Sequence, residues 1–152
     1  MIRRMLETDY AGVRKLMQQV HHLHHVNRPD IFGEGEALRK PYFQKLLGEE
    51  YTNFVYVEDE KIVGLLVMRH ESAQAYEVMK ERNIFYISDL VVDENYRKRG
   101  IAHALYHQAI AVAKESHASR VELTVWSFNK DAIAFYESLG MQPMNLRMEM
   151  KI

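Results

Sequence analysis

Apolar positions along the chain change their spacing several times, and each change marks an element. Ile2 to Leu6 reads as a short first strand. Thr8 or Asp9 then caps a helix whose apolar stripe, Val13, Leu16, Met17, Val20 and Leu23, recurs every three to four residues. That helix ends before Asn27-Arg28-Pro29-Asp30, because a residue preceding proline is pushed out of the helical region. After the loop Gly33-Glu34-Gly35, Pro41 suits the first turn of a short helix, Tyr42 to Leu47. Phe54 to Val57 and Ile62 to Met68 form a hairpin around Glu58-Asp59-Glu60-Lys61. Ser72 to Arg82 is polar and shows no period, as a loop facing a substrate or partner would.

The second half repeats the alternation of strand and helix. Ile87 to Val92 is too apolar and β-branched for a surface coil, and Asp93-Glu94-Asn95 supplies turn chemistry after it. From Ile101 the period becomes helical, with Leu105, Ala109 and Val112 on the same face. Val121, Leu123 and Val125 alternate with Glu122, Thr124 and Trp126 as a half-buried strand. A helix from about Asn129 to Leu139 follows, with Gly140 just past its end. Leu146, Met148, Met150 and Ile152 then alternate with Arg147, Glu149 and Lys151, which predicts a last strand with one wet face. The order βααβββαβαβ describes an α/β or α+β fold in one domain spanning residues 1–152.

Composition narrows the function. Apolar content of 47% and charged content of 27% describe a chain that buries a real core. A net charge of −1 gives no electrostatic case for nucleic acid or an anionic membrane, and no run approaches a membrane span. The absence of cysteine excludes disulfides and thiol catalysis and fits a reducing cytoplasm, and no secretory leader is visible at the N-terminus.

The chemistry concentrates where the central strand hands over to its helix, Asp89 to Ala102. Free N–H groups and the positive dipole end of that helix attract anions. Gly100 and Ala102 keep side chains clear of the backbone, and Arg97, Lys98 and Arg99 add cations, so a pyrophosphate is the natural guest. Neither G-x-G-x-x-G nor G-x-x-x-x-G-K-S/T occurs, which disfavours a Rossmann or P-loop nucleotide binder.

Arg97-Lys98-Arg99-Gly100-Ile101-Ala102 resembles the Arg/Gln-x-x-Gly-x-Gly/Ala signature of the GNAT superfamily of N-acetyltransferases. Asn129, Ala132, Phe135-Tyr136 and Gly140 resemble a second element of that family, Asn-x-x-Ala-x-x-Phe-Tyr-x-x-x-Gly. The resemblance implies a mixed, mostly antiparallel sheet of about six to seven strands flanked by about four helices. That sheet would splay between its fourth and fifth strands, with acetyl-coenzyme A in the opening. It implies direct attack of a primary amine of a small molecule or protein on the thioester, without a metal. A coenzyme A-binding module of little activity is the alternative, and a homodimer is a family-level expectation.

Roles follow residue by residue from the resemblance. Backbone N–H groups of Leu90, Val91 and Val92 would stabilise the tetrahedral oxyanion. Arg97 through His103, with Lys98, Arg99, Gly100, Ile101 and Ala102 between them, would hold the coenzyme, as would Asn129, Ala132 and Phe135. Tyr136 would protonate the leaving thiolate; packing in the core is the plain alternative for this tyrosine. An amine is protonated at pH 7, and deprotonating it costs roughly 4–5 kcal/mol. Many relatives carry a carboxylate twelve residues before the loop glycine, where this chain has Ser88, so a relay water ordered by Ser88 is the first expectation. A carboxylate or histidine from elsewhere is the second, because strand alternation sends Asp89 to the opposite face from Ser88.

His21-His22-Leu23-His24-His25 places His21 and His25 at the i,i+4 spacing of metal chelators, without the Glu of a zincin motif or an evident third ligand. A structural helix end is the expected role. His25 and Phe32, within a segment that resembles the border of the acceptor pocket in small GNAT enzymes, are the candidate substrate contacts.

Overall fold

The computed structural model describes all 152 residues. Strand β1 (Ile2–Arg4) leads through a 3-10 turn into α1 (Tyr10–Asn27), and α2 (Lys40–Leu46) follows. A hairpin of β2 (Phe54–Glu58) and β3 (Lys61–Ala73) is succeeded by β4 (Arg82–Val92), α3 (Ile101–Glu115), β5 (Arg120–Leu123) and α4 (Lys130–Ser138). The strands form one sheet in the order β1-β2-β3-β4-β5, antiparallel except for the parallel β4–β5 pair. No helix is long and apolar enough to cross a membrane.

Two apolar cores lie on opposite faces of the sheet. Val13 and Leu16 of α1 and Phe43 and Leu46 of α2 pack with Val55, Leu65, Val67 and Val91 on one face. Ile101, Leu105, Ala109 and Ala113 of α3 pack with Val63, Leu66, Met68, Phe85 and Ile87 on the other. Strands buried on both faces read as continuous apolar runs, which is why Ile62–Met68 shows little alternation. Gly64 lets α3 come close: a Cβ there would sit 2.9 Å from Ile101 Cγ2 and Leu105 Cδ1.

Several expectations are corrected. Five strands form rather than six to seven, because the segment after Gly140 pairs with nothing and belongs to no strand. Its alternation describes a strand, yet no sheet edge receives it within the chain. Neither Thr8 nor Asp9 caps α1 with its side chain. Asp9 is buried and instead takes Arg3 in a two-pronged ion pair at 2.7 and 2.8 Å, plus the Leu6 amide at 2.8 Å. The segment Ser72 to Arg82 is the tip of a long β3–β4 hairpin, with only Gln74 to Glu81 outside the strands.

Because Gly64 sets the approach of α3 to the sheet, Gly64→Val should destabilise the fold by about 1–3 kcal/mol through overpacking. Urea unfolding of the variant beside the parent measures this, and an unchanged midpoint would mean that α3 can retreat freely.

Candidate active site

The gap between β4 and β5 organises the site. The two strands pair only from Ile84–Arg120 to Ile87–Leu123, while β4 runs on to Val92. Beyond Ile87 the β5-facing edge of β4 has no strand partner, so alternate backbone groups of the stretch containing Leu90, Val91 and Val92 face the opening.

One extra residue in β4 decides which side chains enter that opening. Val67 pairs with Asp89 and Met68 with Ile87, which leaves Ser88 as a β-bulge. Ile87 lies in the α3-side core and Val91 in the α1/α2-side core. Counting forward from Ile87 sends Ser88 to the α1/α2 face, and counting back from Val91 sends Asp89 to the same face. The bulge therefore cancels the alternation that would separate them, and Asp89 enters the site beside Ser88.

Asp89 is half-buried and has no hydrogen-bond or ion-pair partner, and burial pushes its carboxyl up to about 6. Tyr136 of α4 is half-buried too; burial first, then the charges of Asp89 and Tyr106, push its hydroxyl up to about 12. Tyr42 of α2 is raised chiefly by burial, with Tyr51 and Asp89 adding to it. The Asp89 charge thus acts on a phenol of α2 and a phenol of α4 alike. Ser88 Oγ is buried with no partner in the protein. At neutral pH the site thus holds an ionised carboxylate, a neutral phenol and an unpaired hydroxyl.

The loop after β4 is pinned from α1. Lys15 and Gln19, one helical turn apart, reach Asp93 Oδ2 at 2.8 Å and the Glu94 amide at 3.1 Å. Burial alone would raise the Asp93 carboxyl, but the Lys15 ammonium and the Asn95 amide outweigh it and hold it below the usual carboxylate range. From there Lys98 (φ 61°) and Gly100 (φ 80°) both take left-handed backbone, folding the chain sharply into α3. The amides of residues 97 to 103 donate to no protein acceptor; the first bond of α3 is Ala104 N–H to Gly100 C=O at 3.0 Å. Successive free amides in such a turn form an anion-binding nest. Arg99 leans over Tyr96 and pairs with Glu58 at 3.3 Å, whereas Arg97 and Lys98 are exposed and make no ion pair.

Among the second group of expected residues, Asn129 caps α4, its Oδ1 accepting from the Ala132 amide at 3.2 Å. Phe135 meets His103 of α3 edge-on, with ring centroids 5.0 Å apart, which ties α4 to the anion loop. Ala132 is half-buried on the same helix.

The histidines hold a loop. His21 Nε2–H donates to Gly33 C=O at 2.8 Å and His25 Nδ1–H to Phe32 C=O at 2.6 Å, so both bond the connection after α1. The spacing singled out His21 and His25, but His24 carries the ring contacts. It lies 5.0 Å from Phe32, 5.9 Å from Phe128 and 6.4 Å from Trp126, and burial, with the nearby His21 charge, lowers its pKa. With Arg28 over Trp126 at 5.5 Å, these rings form an aromatic wall that joins α1 and the loop after it to the segment following β5.

A model of the Acetyltransferase (GNAT) family matches residues 17–141. The chain belongs to this family. It is 32% identical to streptothricin acetyltransferase A of Bacillus subtilis over 66% of its length, covering 59% of that protein. It is 29% identical to the thialysine N-epsilon-acetyltransferase of Bos taurus over 90% of its length and 74% of that protein. A solved structure of a tetramutant of the BH1408 protein from Bacillus halodurans superposes with a TM-score of 0.98 at 36% identity, over 100% of this chain and 99% of that one. GNAT acetyltransferases use acetyl-coenzyme A.

The raised Asp89 pKa has a stability consequence. An acid whose pKa is higher folded than unfolded adds stability below its unfolded value, 3.8, and loses it as pH rises through about 6. Asp89→Asn should therefore be more stable than the parent at pH 8, by up to about 3 kcal/mol for a two-unit shift, and should lose that advantage toward pH 4. Denaturant midpoints across this range measure it; a constant difference would mean a solvated carboxylate.

Proposed function

We propose that this chain transfers the acetyl group of acetyl-coenzyme A directly to a primary aliphatic amine. The observation that carries the reading is the pairing in one gap of a partnerless carboxylate near pKa 6 with a partnerless phenol near 12, beside a free-amide loop. Groups whose pKa values are pushed apart divide acid and base work between them.

The loop from Arg97 to His103 binds the coenzyme pyrophosphate through its amides, with Arg97 and Lys98 adding charge. The pantetheine arm runs along the open edge of β4, past Asn129, Ala132 and Phe135, toward the bulge. Asp89, ionised above about pH 6, draws in the cationic amine and takes its proton, directly or through a water on Ser88. The amine lone pair then attacks the thioester carbonyl, and amides of Leu90, Val91 or Val92 stabilise the oxyanion as it forms. Tyr136 keeps its proton at neutral pH and delivers it to the departing thiolate. The wall of Phe32, His24, Trp126 and Phe128 receives the body of the acceptor, its ring faces suiting alkyl and cationic groups alike. The two relatives named above, a streptothricin and a thialysine acetyltransferase, support an amine acceptor.

Thiol release from acetyl-coenzyme A with a panel of amines tests the activity; coenzyme binding without release for any amine would favour the module of little activity. With an active amine of pKa near 10, the logarithm of kcat/KM should rise with slope one below about pH 6 and level off between about pH 6 and the amine's pKa. Asp89→Asn should lose the break near pH 6 and about 10²–10⁴ in rate, and Tyr136→Phe should lose a similar factor in turnover with unchanged coenzyme affinity. A parent profile that keeps slope one up to the amine's pKa, with no break near 6, would remove Asp89 from the reaction.

A further inference from the structure

The sheet face that packs on α1 and α2 changes character toward the β3–β4 hairpin. Its apolar core reaches Val67 on β3, and Arg69 and Glu71, which alternate onto the same face, lie past it. Arg82 and Tyr86 of β4 and Arg120 and Glu122 of β5 share this face, because Phe85, Ile87, Val121 and Leu123 take the other. The five charged side chains form one chain of ion pairs. Arg69 meets Glu71 at 3.0 Å, Glu71 meets Arg82 at 3.1 Å, and Glu122 takes Arg82 and Arg120, each at 3.2 Å. Three cations thus share two carboxylates, and one positive charge is left over.

That surplus lies one step from Asp89. Val67 pairs with Asp89 and Arg69 with Tyr86, so Arg69 follows along β3 by about 7 Å, the rise of one alternation. The Arg69 guanidinium lies over the Tyr86 ring, 4.9 Å from its centroid, and Tyr86 Oη donates to Thr124 Oγ1 at 2.8 Å. The stack therefore reaches from β3 across β4 to the end of β5. Nε and Nη2 of Arg69 both bond Glu71 Oε1, at 3.1 and 3.0 Å, which leaves Nη1 outside the pair. Tyr42 of α2, raised chiefly by burial, is raised further by the Asp89 charge and lowered by that of Arg69, so one phenol senses both. Asp89 and the buried Ser88 hydroxyl have no partner in the protein.

We propose that the acceptor is an α-amino acid, its ammonium held at Asp89 and its carboxylate at Arg69. The inference rests on the direct transfer proposed above and names the acceptor class for it. An α-amino acid carries both charges on one carbon, and hydrogen bonds of about 2.8 Å at each end let it span the step from Asp89 to Arg69. A guanidinium stacked on a ring has its plane fixed, which suits it to a carboxylate as a mobile ammonium would not be suited. The aromatic wall then takes the side chain, so apolar and aromatic amino acids are the favoured class. An amine without a carboxylate leaves the surplus charge of the ion-pair chain unanswered.

Calorimetric titration at pH 7, with excess coenzyme A present so that nothing reacts, tests this without turnover. The probes are L-leucine and L-phenylalanine, each beside the amine that lacks only its carboxylate, isoamylamine and phenylethylamine. In the parent the amino acids should bind about tenfold to a hundredfold tighter than the amines, the range for a hydrogen-bonded charge. Arg69→Gln, checked for folding by circular dichroism, should bring each pair within about twofold, and Arg69→Lys should restore part of the difference. With acetyl-coenzyme A, the kcat/KM ratio of amino acid to amine should fall in step. Amino acids that bind the parent no tighter than the amines would overturn the proposal, and that comparison needs no variant. So would a folded Arg69→Gln protein that keeps the difference. Amino acids bound through Arg69 but never acetylated would support this site and overturn the transfer reading instead.

Discussion

The register mismatch between β3 and β4 is the constraint on which the site depends. Upstream of Ser88, strand β4 turns Phe85 and Ile87 to the α3 core; downstream, Leu90 and Val92 face that side again and Val91 the other. An unbroken ladder could not satisfy both ends, because residues 87 and 90 would point to opposite faces. One surplus residue reconciles them, and the polar pair Ser88-Asp89 sits where it falls. The same place is where β5 stops pairing, so the strand bends, the sheet opens and a carboxylate enters the opening together.

The electrostatics follow from that geometry. Asp89 finds no donor because the backbone around it is either in the β3 ladder or turned to the gap, so its charge is stabilised by little and its pKa rises. The same charge reinforces the phenol of Tyr136 against ionisation, which keeps a proton donor available well above neutral pH. On the far side of the gap the charges are of opposite sign: free amides and the exposed Arg97 and Lys98 beside left-handed Lys98 and Gly100. The Lys15–Asp93 pair, joining α1 to the end of β4, keeps this loop in register with the bulge.

Much of this was legible in residue order. The central strand, its turn and the helix from Ile101 follow from a change of apolar period, and the loop glycine follows from the turn it must make. The β2–β3 hairpin and the helix α4 starting at about Asn129 were equally plain. Asp89 was misjudged because alternation assumes an unbroken ladder. Two adjacent polar residues inside an otherwise buried apolar strand were the available sign of a bulge. His24 escaped notice because metal-type spacing drew attention to His21 and His25, whereas ring stacking on Phe32 and Trp126 depends on tertiary approach that no local pattern encodes. The tail was read rightly as an alternating sequence and wrongly as a strand of its own sheet, since alternation says how a strand packs and not against which edge.

The central claim is that the bulge at Ser88 delivers a desolvated, partnerless Asp89 into the gap. Carbon-detected NMR titration of the Asp89 carboxyl in the free protein, assigned with Asp89→Asn, reads that environment without any substrate. The account predicts a midpoint near 6. A midpoint at or below the ordinary aspartate value of about 3.9 would place the carboxylate in water or against a cation and contradict it.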